Sequence, residues 1–205
     1  MTTRLRIALL APLAFVAGCA SLRPAPAQQD VFFERLSTLC GRAFEGRAFE
    51  GRVVADTPPT AGPDPFAQGP LLMHVRECTA DTLRIPFHAG NDRSRTWVVT
   101  RTAQGLRLKH DHRHADGSSD ALTMYGGDTR DTGSVSRQAF PADAASRSMF
   151  TAQGRSVSVP NVWALEVEPG RAFVYELARP GRLFRVEFDL ARPVPPPPAP
   201  WGASD

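Results

Sequence analysis

Through most of this chain, apolar and polar residues alternate with a period of two. Leu71, Met73 and Val75 alternate with Leu72, His74 and Arg76, and Leu83, Ile85 and Phe87 with Arg84, Pro86 and His88. Trp97 and Val99 oppose Thr96, Val98 and Thr100. Toward the C-terminus, Trp163, Leu165 and Val167 oppose Glu166 and Glu168, and Pro169-Gly170 supplies a turn into Phe173, Tyr175 and Leu177. Pro180-Gly181 then turns into Phe184, Val186, Phe188 and Leu190, with Arg185, Glu187 and Asp189 on the other face. Antiparallel strands with one buried face require this alternation. Roughly ten such runs, about 8 to 15 residues apart and joined mostly by Gly, Pro, Asp or Asn, predict an all-β antiparallel meander forming a barrel or a sandwich. A barrel removes exposed strand edges.

The period changes to 3.6 in two places. Phe32, Phe33, Leu36, Leu39 and Cys40 recur at helical spacing between Asp30, a candidate cap, and Gly41, a candidate terminator. Residues 143–153 combine Asp143, several small residues and the following Gly154, which predicts a second short helix. Between these helices, residues 41–45 and 46–50 are both Gly-Arg-Ala-Phe-Glu. Five is odd, so an uninterrupted strand carries Phe44 and Phe49 on opposite faces, and a bulge or an extended strand entry is expected. Asp56 to Pro70, rich in Pro, Gly and Ala, reads as a loop.

The N-terminus has a different pattern. Arg4 and Arg6 precede an apolar run from Ile7 to Ala17, too short for a membrane-spanning helix but suited to a signal-peptide core. It ends in Val16-Ala17-Gly18-Cys19, which resembles the lipobox of bacterial lipoproteins. That resemblance implies a signal peptide over 1–18, acylation of the Cys19 thiol, and a membrane partner reached through the lipid anchor. Ala20 and Ser21 follow, with no aspartate after the cysteine, which in that family implies the outer membrane, with the domain facing the periplasm. An ordinary secretory signal delivering a soluble periplasmic or secreted protein is the alternative. Residues 19–29 then read as a tether, 30–192 as the β-rich domain and 193–205 as an unpacked proline-rich tail.

Cleavage changes the meaning of the composition. The 205 residues carry a formal charge of +3, and Lys109 is the only lysine among 24 basic residues. Losing Arg4 and Arg6 with the signal leaves 187 residues at +1, which together with export argues against a nucleic-acid partner. Two cysteines remain, Cys40 and Cys78, and an oxidising periplasm permits a disulfide between them; two buried thiols are the alternative.

Leu39-Cys40-Gly41-Arg42-Ala43-Phe44-Glu45-Gly46 after a helix, leading into a meander, resembles the opening of calycin barrels such as lipocalins and nitrobindins. Phe44 stands where those families have tryptophan. The resemblance implies a barrel whose interior holds a small apolar ligand or haem.

The densest polar chemistry lies in Leu106-Arg107-Leu108-Lys109-His110-Asp111-His112-Arg113-His114. On a strand, His110, His112 and His114 share a face with Leu106 and Leu108, and imidazoles two residues apart can hold one divalent metal such as zinc, copper, iron or nickel. Asp116, Asp120, His74 and His88 are further candidate ligands. Gly105, His110, His112 and Asp116 resemble the first metal motif of cupins; aspartate replaces the usual glutamate, and the second cupin motif is absent. The plain alternative is a polar strand end meeting water, and a third is a pH-sensitive cluster. Asn91 to Arg95 reads as a charged turn or an anion-binding mouth, and Tyr125-Gly126-Gly127-Asp128 as a strand end. There is no Gly-x-Ser-x-Gly elbow, Walker loop or dinucleotide fingerprint.

The sequence therefore favours a noncatalytic, lipid-anchored barrel that binds a small molecule or an envelope protein. A metal-dependent enzyme built on the histidine strand and a structural envelope lipoprotein are its alternatives.

Overall fold

A computed structural model describes residues 27–51 and 69–204. The expected signal peptide, Cys19, most of the expected tether and most of the loop expected before Pro70 lie outside the described residues. Helix α1 (Gln28–Ser37) precedes β1 (Ala43–Gly51), β2 (Leu71–His74), β3 (Glu77–Cys78), β4 (Thr82–Ala89), β5 (Asp92–Thr102), β6 (Gly105–His112), β7 (Tyr125–Asp128) and β8 (Arg137–Pro141). Helix α2 (Ala144–Ala152), β9 (Val162–Glu168), β10 (Ala172–Arg179) and β11 (Arg182–Val194) complete the chain. The expected meander forms one 11-stranded antiparallel sheet in the order β7-β6-β5-β4-β2-β1-β11-β10-β9-β8, with β3 paired on β4, and it curls into a nearly closed barrel. The architecture is compatible with a calycin-like fold.

The period-two pattern sets the inside of the barrel. Leu83, Ile85 and Phe87 of β4, Trp97 and Val99 of β5, Leu106 and Leu108 of β6, and Phe184, Val186, Phe188 and Leu190 of β11 are all buried. Helix α1 packs Phe32, Phe33 and Leu36 against one end of the barrel. It is fixed there by Gln29 Nε2, which donates to the Asp131 carbonyl at 2.8 Å, and by the Arg101 guanidinium, 4.3 Å above the Phe33 ring. Asp30 does not cap this helix: the N-cap is Ala27 without a side-chain hydrogen bond, and Asp30 sits in the first turn, ion-paired to Arg101. Asp143 does cap α2, accepting from the Ser146 N–H at 2.8 Å.

The bulge expected near the repeat occurs between Phe44 and Gly46 of β1, but the extra residues lie on β11, where the partner jumps from Pro193 to Phe188. A Cβ on Gly46 would come within 2.6 Å of the Phe188 ring, so this glycine gives the core aromatic its room. Cys40 and Cys78 form the disulfide, with Cα atoms 6.3 Å apart across 38 residues of sequence. Closing a loop of that length stabilises the fold by about 4 kcal/mol through loop-closure entropy.

The proline-rich C-terminus is mostly exposed over Pro193 to Pro198 but is held against the barrel beyond them. Pro193 and Val194 extend β11, and the chain then runs along the outer wall with Ala199 and Pro200 buried. Prolines need no ladder partners of their own, so an extended segment can dock through its carbonyls and side chains. Arg93 Nη1 donates to the Ala199 carbonyl at 3.0 Å, the Trp201 N–H to the Arg93 carbonyl at 3.1 Å, and Arg76 Nη2 to the Ser204 carbonyl at 2.5 Å.

Strands β7 and β8 meet at the seam. The Ser146 hydroxyl donates to the Gly126 carbonyl at 2.9 Å, while the Gly126 N–H donates back to it at 2.8 Å. A Cβ on Gly127 would lie 1.8 Å from the Pro141 carbonyl oxygen. Gly127→Ala is therefore expected to force the seam apart and lower stability by about 3 kcal/mol, at the upper end of ordinary overpacking. Urea denaturation of the variant beside wild type measures it.

Candidate functional site

The barrel end opposite α1 carries the start of β5, the end of β6 and the start of β7. The histidine strand reaches it, and its three imidazoles enter three environments. His110 belongs to the core. Its ring stacks on Tyr125 with centroids 4.8 Å apart. Its Nδ1–H donates to the Tyr125 carbonyl at 3.2 Å, which leaves Nε2 to accept from the Tyr175 hydroxyl at 3.0 Å. Both ring nitrogens are thus engaged by the fold. His112 lies at the rim, with Nε2 3.1 Å from the Ser94 hydroxyl and Nδ1 3.8 Å from Asp120 Oδ2. His114 lies beyond the strand, exposed, with Nε2 4.0 Å from the same carboxylate oxygen.

Asp116 is not drawn to them. Its Oδ1 accepts from the Ser118 N–H and hydroxyl at 2.8 and 2.6 Å and stabilises the turn after β6. Among the described residues, no group of three or more His, Cys, Asp or Glu side chains is arranged to hold a metal ion. His110, His112, His114 and Asp116 therefore share a strand and turn but do not converge on one point.

The inward alternation continues only as far as His110, because the lumen behind it is full. Trp97 stacks between Tyr175 and Phe87, with centroids at 4.5 and 4.8 Å, and Phe188 meets its edge at 6.2 Å. These rings face the interior, where the calycin resemblance implies a ligand.

Open volume lies instead on the outer wall. Between that wall and the C-terminal segment is a cavity of about 700 Å³. His74, Arg84, Ser94, Thr96, Asp111 and Arg113 form its floor, and Pro200 to Ser204 its cover, with Arg76 and Glu77 at the edge. Asp111 is almost fully buried and accepts from Arg84 Nη2 at 2.7 Å and Arg113 Nε at 3.1 Å. Arg84 Nε also lies 3.6 Å from Glu77 Oε2. Alternation places Arg84, Asp111 and Arg113 outside the barrel, and the one local sign that they would be covered is Trp201, an aromatic within a proline-rich segment.

Burial disfavours the charged form of three histidines. It lowers His110 to about 3, and it lowers His88 to about 4 with help from the Arg93 charge. It also lowers His112, assisted by Arg95. His88 Nε2 is buried without a hydrogen-bond partner among the described residues.

Comparison with protein-family models, curated sequences and solved structures finds no match for this chain. No helix among the described residues is long and apolar enough to cross a membrane.

The unfolded chain binds protons at its histidines near pH 6.5, more readily than the folded barrel does at His88 and His110. The stability these two neutral rings confer is complete above about pH 6.5 and is lost as the pH falls toward 4 and then 3, at roughly 1.4 kcal/mol per pH unit for each. Urea midpoints are expected to drop between pH 7 and pH 5, while NMR shows both rings still neutral at pH 5.

Proposed function

We propose that this protein is a lipid-anchored envelope barrel that binds a small polar or anionic molecule on its outer wall, beneath the C-terminal strap of residues 199–204. The observation that carries this reading is the strap-covered cavity, set beside a lumen filled with aromatic rings. At about 700 Å³ the cavity is of ligand size. Its side chains are chosen for polar recognition: guanidiniums hold carboxylates and phosphates through paired N–H donors, and Asp111 fixes the orientation of two of them. The apolar ligand that the calycin resemblance implies has no support from this lining.

The test uses the chain from Ala20 onward, with thermal shift read against simple carboxylates and inorganic phosphate. A binding anion at 100 times its Kd stabilises the fold by about 2.7 kcal/mol. That shift is expected to vanish when the chain is truncated after Pro198. No shift with any of these anions, or an equal shift without the strap, overturns the reading.

The anchor rests on the lipobox-like Val16-Ala17-Gly18-Cys19. The Cys40–Cys78 disulfide is weakly in favour of a location outside the cytoplasm. Cys19→Ser is expected to move the protein from the membrane fraction to the soluble fraction of lysed cells; unchanged partitioning refutes lipidation.

A further inference from the structure

We propose that Ser94, His112 and Asp120 form a serine-nucleophile site that hydrolyses small carboxylic esters held in the strap-covered cavity. The inference rests on the cavity being a ligand site and adds chemistry to it. Three side chains from separate parts of the chain meet with the polarity such a site requires. His112 Nε2 faces the Ser94 hydroxyl at 3.1 Å, and its other nitrogen, Nδ1, faces Asp120 Oδ2 at 3.8 Å. A base that takes the hydroxyl proton through one nitrogen while a carboxylate orients the other defines this arrangement on any fold. The carboxylate distance is long for a hydrogen bond. Catalytic hydrogen bonds in unliganded sites are often long and tighten with substrate bound.

The surroundings fix each member. Asp120 Oδ1 accepts from the Leu122 N–H at 2.7 Å, which leaves Oδ2 turned toward the imidazole. The His112 N–H donates to Thr123 Oγ1 at 2.8 Å. Asp92 Oδ1 accepts from the Ser94 N–H at 2.9 Å, and its other oxygen pairs with Arg95, so the start of β5 is clamped. The Ser94 hydroxyl also lies within hydrogen-bonding reach of Asp92. It is therefore shared between a carboxylate and an imidazole, and the experiment below separates a bridging hydroxyl from a nucleophile. The register of β4 and β5 shifts between Phe87 and Ala89, a bulge of the kind that re-aims side chains near functional sites.

Ser94 lines the cavity together with Arg84 and Arg113. Each guanidinium has five N–H donors, more than Arg84 uses on Asp111 and Glu77 or Arg113 on Asp111 and the Gly117 carbonyl, so donors remain for a carbonyl oxygen gaining charge. In the reaction, Ser94 Oγ bonds to the ester carbonyl carbon as its proton passes to His112 Nε2. The bond from carbon to the alkoxy oxygen then breaks, and the leaving alcohol takes that proton. Water repeats the sequence on the acyl-Ser94 ester: it loses a proton to Nε2 and bonds to the carbonyl carbon, and Ser94 Oγ departs and regains the proton. The products are one carboxylic acid and one alcohol.

The chain from Ala20 onward is treated with a fluorophosphonate, which phosphonylates activated serines, and is analysed by intact mass and peptide mapping. One adduct per chain is expected, located on Ser94 and absent from Ser94→Ala. His112→Gln is expected to slow labelling about 100-fold or more, and Asp120→Asn to slow it as well. Asp120→Asn conserves shape, and near-ultraviolet circular dichroism verifies the fold of each variant. No adduct on Ser94 of the wild-type chain overturns the proposal, as does equal labelling of correctly folded His112→Gln and Asp120→Asn. If Ser94 stays unlabelled while anions still stabilise the intact chain and not the truncated one, the esterase falls and the binding site stands.

Discussion

Trp97, stacked between Phe87 and Tyr175, links the two halves of the barrel wall across its interior. The rest of the structure is arranged around that stack. Tyr175 passes the contact to His110 through its hydroxyl, and His110 passes it to the seam strand through Tyr125. Each aromatic pair adds roughly 0.5–1.5 kcal/mol beyond the area it buries, and a polar chain inside the core raises the stakes because an unpartnered member costs more than its bond returned. The interior is thereby committed to cohesion, and the arginine-lined cavity lies on the outer wall.

The outer surface accounts for the arginine-rich composition. Arg137, Glu166, Glu176 and Arg185 interlock across β8 to β11, with Arg137 paired to both glutamates and Arg185 likewise. Single exposed pairs contribute little, but neighbours directly across a ladder form a network that reinforces strand register. An excess of guanidinium over ammonium suits this use, since the planar fork reaches two carboxylates at once. Two arginines set against two glutamates leave this network without net charge.

Elements whose information is local were legible in the sequence. Strands β4, β5 and β9 to β11 follow from alternation because one face of each is buried, and α2 follows from Asp143 as its cap. Asp30 misled because the helix begins two residues before it, at Gln28, which places its carboxylate in the first turn beside Arg101 rather than at the cap. Alternation put His110, His112 and His114 on one face with Leu106 and Leu108; His110 is buried there, whereas His112 is only partly buried and His114 is exposed. Where burial ends along this face could not be read, because it depends on Tyr125 and Tyr175 arriving from other strands. Ser94 and His112 are 18 residues apart and Asp120 lies beyond the turn, so no spacing rule connects them. Proline content concealed the docked strap, whose partners Arg76 and Arg93 lie more than 100 residues earlier.

That strap bears on how the molecule should be handled. Its last described residue, Ser204, is held by Arg76. An affinity tag or fluorescent reporter fused after this segment would hang from the cover of the cavity and pull on it, whereas one placed ahead of α1 would leave the wall groove as the chain builds it.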